Sequence, residues 1–76
     1  MIIKPRLKRK ITNVDDLKIG QVYLFKFHKG KTIGQIEAVF GNKIIFNGFD
    51  MEDGSKNSSG LMFDDPRLEV YEFEFP

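Results

Sequence analysis

The pattern that most restricts this chain is the run Gln21 to His28, where strand-forming side chains alternate with period two. Tyr23, Phe25 and Phe27 fall on one side, and Val22, Leu24, Lys26 and His28 on the other. Burying Lys26 or His28 is costly, so the aromatic set is expected to face inward and the mixed set outward. Lys29-Gly30-Lys31 supplies a turn. Thr32 to Phe40 then reads as a second strand, with Ile36, Ala38 and Phe40 on one face and Gln35 and Glu37 on the other. Gly34 inside it marks a bulge or a close backbone approach. Gly41-Asn42 predicts a two-residue hairpin turn, because both residues tolerate positive φ.

The same punctuation continues. Lys43 to Phe49 is a third strand, interrupted by Asn47-Gly48, which reads either as a tight turn that ends it, the favoured reading, or as a bulge in a strand that continues. Asp50 to Gly60 has no periodicity and is rich in turn formers, so a mobile loop is expected there. Leu61-Met62-Phe63 can add one short strand, Asp64-Asp65-Pro66 a turn, and Leu68 to Phe75 the last strand. The phase of that strand slips: Leu68 and Val70 share one face while Tyr71, Phe73 and Phe75 share the other, which predicts a bulge near Val70-Tyr71. Before the first strand, Thr12-Asn13 can cap a short helical turn with Asp15 and Asp16 at its start, and Val14 and Leu17 can plug one end of a barrel. Four to five short antiparallel strands, one short helical turn and no βαβ repeat predict an all-β small barrel. Residues 1–11 form a basic arm or an edge strand, and residues 12–76 the single domain.

With 76 residues and no cysteine, neither a disulfide framework nor a thiolate metal site can staple the fold. Its hydrophobic content of 41% against 30% charged residues is that of a globular chain. A domain this small nets at most about 3–5 kcal/mol. Truncating Phe25 or Phe46, which costs about 3–5 kcal/mol when the ring is buried, is therefore enough to unfold it.

Charge is unevenly spread along the chain. Residues 1–31 carry nine Lys/Arg against Asp15 and Asp16, a balance of +7, while residues 32–76 carry three against nine acids, a balance of −6. Such a chain can orient on a polyanion if the fold keeps the halves apart, or attract itself across the fold if it does not. Five cations, Lys4, Arg6, Lys8, Arg9 and Lys10, fall within the first ten residues. No run of 7–15 apolar residues follows them, so a secretory signal or membrane span is not expected, and the setting inferred is cytoplasmic.

Three stretches carry a resemblance: Gly20-Gln21-Val22-Tyr23-Leu24-Phe25, Lys29 to Ile36, and Asn42 to Gly48. Together they resemble the KOW segment of ribosomal proteins and transcription elongation factors, with Gly30, Gly34 and Ile36 at matching positions. The entry Asp16-Leu17-Lys18-Ile19-Gly20 and the exit Asp65-Pro66-Arg67-Leu68-Glu69-Val70 look like those of SH3-like and Tudor-like barrels. The resemblance implies an SH3-like barrel and a binding role, toward nucleic acid in some members and toward peptides or proteins in others.

Catalytic chemistry has little to draw on. His28 is the sole histidine, cysteine is absent, and a Ser-His-Asp arrangement would have to take Ser55, Ser58 or Ser59 from a loop. Asp50, Glu52 and Asp53 precede Gly54 but miss the alternating ligand positions of a calcium loop. A non-enzymatic module with no cofactor and no metal is expected. As a nucleic-acid binder it would use Lys4, Arg6, Lys8, Arg9 and Lys10 on phosphates, extended by Lys26, His28, Lys29, Lys31 and Lys43 if arm and hairpin share a side. No RNP-type aromatic motif points to sequence-specific base reading. The alternative is a protein-interaction module, such as a small phage-encoded regulator or inhibitor. It would dock through Tyr71, Glu72, Phe73, Glu74 and Phe75 or through an acidic face.

Overall fold

A computed structural model describes residues 6–27, 30–52 and 54–74. Lys4, His28, Lys29 and Phe75, all singled out above, lie outside the described residues. Among the described residues six strands make one antiparallel sheet: β1 (Arg6–Lys10), β2 (Val22–Phe27), β3 (Gly30–Phe40), β4 (Lys43–Asp50), β5 (Lys56–Met62) and β6 (Leu68–Glu74). Their spatial order is β1-β6-β2-β3-β4-β5. Strands β2 to β5 form a meander, and β6 returns to pair with β2. Among the described residues no pairing joins β1 to β5, so the sheet is not closed. It is nevertheless curled, because Leu68 and Val70 of β6 share one core cluster with Ile36 of β3 and Ile44 and Phe46 of β4.

Two glycines permit the curl. Gly34 and Gly48 are directly paired across β3 and β4. A Cβ on Gly48 would lie 2.0 Å from the Ile33 carbonyl oxygen, and one on Gly34 would lie 2.7 Å from Cδ2 of Phe46. The bare backbone lets β4 press onto β3 and lets the Phe46 ring lie over Gly34, stacked on Phe25 with centroids 4.7 Å apart. Asn47-Gly48 is therefore not a strand end, since β4 runs on to Asp50. Gly34 is the close approach, and the register shift in β3 falls between Ile36 and Ala38 instead. That shift changes the phase of β3: Ile36 and Val39 turn to the core, whereas Phe40, expected beside Ile36, is 67% exposed.

The core consists of Ile11, Leu17, Tyr23, Phe25, Ile36, Ile44, Phe46, Leu68 and Val70. A single 3-10 turn, Val14–Asp16, closes one end, with the Asn13 side chain accepting the Asp15 N–H. Buried Leu17 and half-buried Val14 pack inward there, and the Lys18 N–H donates to the Tyr23 hydroxyl. No helix among the described residues is long and apolar enough to cross a membrane.

The sheet departs from the expected four or five strands at both edges. Of the two readings of the basic segment, the edge strand rather than the arm holds for Arg6–Lys10, since β1 pairs along β6 and Ile11 behind it is 3% exposed. At the opposite edge, the expected mobile loop contributes most of β5, from Lys56 onward. Its polar residues give no alternation to read. They pair all the same, because the β4 edge offers its backbone and because Ser58 Oγ donates to Asn47 and Asn57 Nδ2 donates to Thr32 Oγ1. The expected bulge near Val70-Tyr71 is also absent. The register of β6 with β2 runs unbroken from Leu68 to Tyr71, and the irregularity sits in β1 between Leu7 and Arg9. Tyr71 and Phe73 therefore stay on the face opposite Leu68 and Val70, outside the core cluster.

Candidate nucleic-acid interface

Because directly paired residues share a face, the register defines the convex side of the sheet. One row there runs Lys10, Tyr71, Leu24, Ile33, Phe49, Lys56, crossing every strand. Leu24, expected outward and solvated, is only 2% exposed. Tyr71 on one side and Ile33 on the other shield it, so the sheet has a second apolar surface that period two alone did not distinguish from a wet one. Phe49 at the end of the row remains 45% exposed.

The adjoining row is Glu69, Lys26, Lys31. Lys26 and Lys31 oppose each other directly across β2 and β3, and neither forms an ion pair among the described residues. Like charges in that position destabilise a sheet. Lys56 stands directly opposite Phe49, and Lys31 one row away from it, so an exposed ring is bracketed by two cations. Lys56 escaped the sequence-based selection because its segment had no strand signature.

The dense basic segment is placed differently. Arg9 donates to Glu72 at 2.9 Å, while Arg6 and Lys10 lie 3.9 Å from Glu74 and Glu69. The glutamates of β6 thus answer three of the four described cations of β1 one by one. Lys8 instead borders an open polar cleft shared with Lys18, Asp15 and Asp16. Lys43 does not join the hairpin lysines: it pairs with Phe40 at the far end of β3, nine residues from Lys31 or at most about 30 Å of strand. Of the residues proposed for protein docking, Tyr71 and Phe73 are half-buried on the convex face, and Glu72 and Glu74 are engaged by β1.

Glu69 joins the two regions. Its carboxylate accepts the Tyr71 O–H and has Lys10 and Lys26 nearby. The Tyr71 hydrogen bond, with help from both lysines, holds the Glu69 carboxyl below the usual glutamate range. Reciprocally, the same hydrogen bond, partial burial and the negative charge of Glu69 push the Tyr71 phenol up. Arg67 folds back on Asp65 and lies over the Phe27 ring at 5.2 Å. Searches against protein-family models, curated proteins and solved structures found no match, so the functional reading rests on this geometry.

Proposed function

We propose that this chain is a non-enzymatic SH3-like barrel module that contacts the backbone of RNA or DNA in a transcription- or translation-linked assembly. Its convex β2-β3-β4 face would make the contact. The four-strand meander with its last strand returning beside the first supports the SH3-like assignment. One observation carries the binding role: Lys26 and Lys31 are set directly against each other beside exposed Phe49, with Glu69 opposite Lys26 alone and no ion pair on either lysine among the described residues, so the like-charge pair is only partly compensated within the chain. A phosphate backbone relieves the repulsion, and an aromatic ring flanked by lysines suits a single strand whose bases stack. The basic segment contributes less than its density suggests, because the β6 glutamates cancel its field at short range.

The test is titration of the protein against single- and double-stranded oligonucleotides at rising salt. Affinity should fall log-linearly with salt, and Lys26→Ala with Lys31→Ala should flatten the single-strand slope by about 0.7 per lost phosphate contact. Binding that is absent at low salt, or indifferent to salt, rejects the proposal. It would favour a second reading, docking on a larger protein through β6, which is supported by the position of Tyr71 and Phe73 outside the core. In that case Phe73→Ser should abolish co-purification of the partner.

A further inference from the structure

Among the described residues two phenylalanines are exposed, Phe40 at 67% and Phe49 at 45%, while the others are buried or half-buried. Leaving either ring in water forgoes the burial that stabilises so small a chain. Phe40 is turned outward by the register shift between Ile36 and Ala38, which sends Val39 to the core instead. Such a shift re-aims side chains and is a built feature of a sheet. Each exposed ring has a lysine directly across the ladder: Phe40 opposes Lys43, and Phe49 opposes Lys56. Lys43 and Phe49 stand six residues apart on β4, an even spacing that places both ring–lysine sites on the convex face, at most about 20 Å apart along the strand.

Charge decides what covers them. No acid opposes Lys43 or Lys56 in the ladder, and neither forms an ion pair among the described residues. Between the two sites the convex row is uncharged, Gln35-Asn47-Ser58, and Glu37, the one acid of β3, sits in the register shift and pairs with no residue of β4. An apolar protein surface would cover the rings but leave both lysines without a counter-charge. A single nucleic-acid strand brings aromatic faces and negative charge together, at sites of this composition. We infer that a single strand lies along β4 on the convex face, with one base stacked on Phe49 beside Lys56 and another on Phe40 beside Lys43. This rests on the nucleic-acid reading above and adds the class of strand and the length of the site. A duplex, whose bases already stack on one another, offers neither ring a partner. At about 3.4 Å per stacked nucleotide the two sites span about six nucleotides, fewer if the strand is extended.

The chain has no tryptophan, so Phe40→Trp and Phe49→Trp each place a single fluorophore at one site. The experiment titrates these variants, together with Phe40→Ala and Phe49→Ala, with oligothymidylates of graded length and with duplexes of matching length. Expected is quenching of both tryptophans by the longer single strands, with affinity rising until the strand reaches about six nucleotides. Each alanine variant should bind the longer strands roughly five- to hundredfold more weakly, as for the loss of one stacked base, and Phe40→Ala should also abolish the gain with length. Urea melts report whether the alanine variants remain folded, and the more exposed Phe40 carries the test if Phe49→Ala is destabilised. Duplex binding as tight as single-strand binding, or unchanged affinity of Phe40→Ala for the longer strands, overturns the inference. Salt-dependent binding that survives both alanine substitutions rejects the stacked track and keeps the backbone reading, whereas no oligonucleotide binding rejects the reading on which the track rests and the track with it.

Discussion

Strand β1 and the β2-β3 hairpin both present cations, in opposite circumstances. In β1 they are dense and answered: Arg6, Arg9 and Lys10 stand within 4 Å of Glu74, Glu72 and Glu69. Across the hairpin they are sparse, with Lys26 and Lys31 facing each other, Glu69 opposite Lys26 alone, and no ion pair on either lysine among the described residues. A charge attracts a polyanion to the extent that its field is uncancelled, so under the proposed function the sparse pair is expected to outweigh the dense run. Density along a chain is a poor guide to potential on a surface.

The largest effect comes from removing the scaffold that both regions share. Phe46→Ala takes away the ring that stacks on Phe25 and covers Gly34, and should cost about 3–5 kcal/mol, leaving a mostly unfolded chain by circular dichroism and urea titration. Next is the hairpin itself. Lys26→Ala with Lys31→Ala should weaken oligonucleotide binding and flatten its salt slope while leaving stability unchanged or raised by about 0.2–1 kcal/mol, since a like-charge pair is relieved. Arg6→Ala with Arg9→Ala should leave the slope nearly as it was; a larger loss than from the lysine pair would reverse the comparison. In urea melts, Arg9→Ala alone should cost at most about 1 kcal/mol, because its pair with Glu72 is solvent-exposed.

The smallest effect lies in titration of Glu69 and Tyr71. The folded-state carboxyl of Glu69 is depressed, so its contribution to stability is present above the ordinary glutamate range and is lost as pH falls through its lower folded value. The folded-state phenol of Tyr71 is raised, so its contribution is present below the ordinary tyrosine range and is lost as pH rises through its higher folded value. Ultraviolet titration should show Tyr71 ionising late, and Glu69→Gln should bring that midpoint back down. An unmoved midpoint would mean that Glu69 is not held by Tyr71.

Much of the sheet was legible because it follows from local pattern. The aromatics Tyr23 and Phe25 point inward, Gly41-Asn42 turns the chain with Gly41 at φ +59, and Asn13 caps the 3-10 turn. Gly48 was misjudged because a glycine that allows a turn and one that allows close approach look alike in sequence, and only the Ile33 carbonyl oxygen 2.0 Å from its missing Cβ separates them. The first part of strand β5, Lys56 to Gly60, was missed for a related reason. An edge strand with polar side chains is held by backbone pairing to β4, which leaves no periodic trace.

The sequence by itself determined that this chain is all-β, that Tyr23 and Phe25 face its core and that its cations concentrate in the first 31 residues, because period-two alternation, turn chemistry and charge are properties of neighbours along the chain. Only the tertiary structure decided which cations keep their field. Neutralisation depends on distances between residues more than sixty positions apart, as for Arg9 and Glu72, and strand register sets those distances.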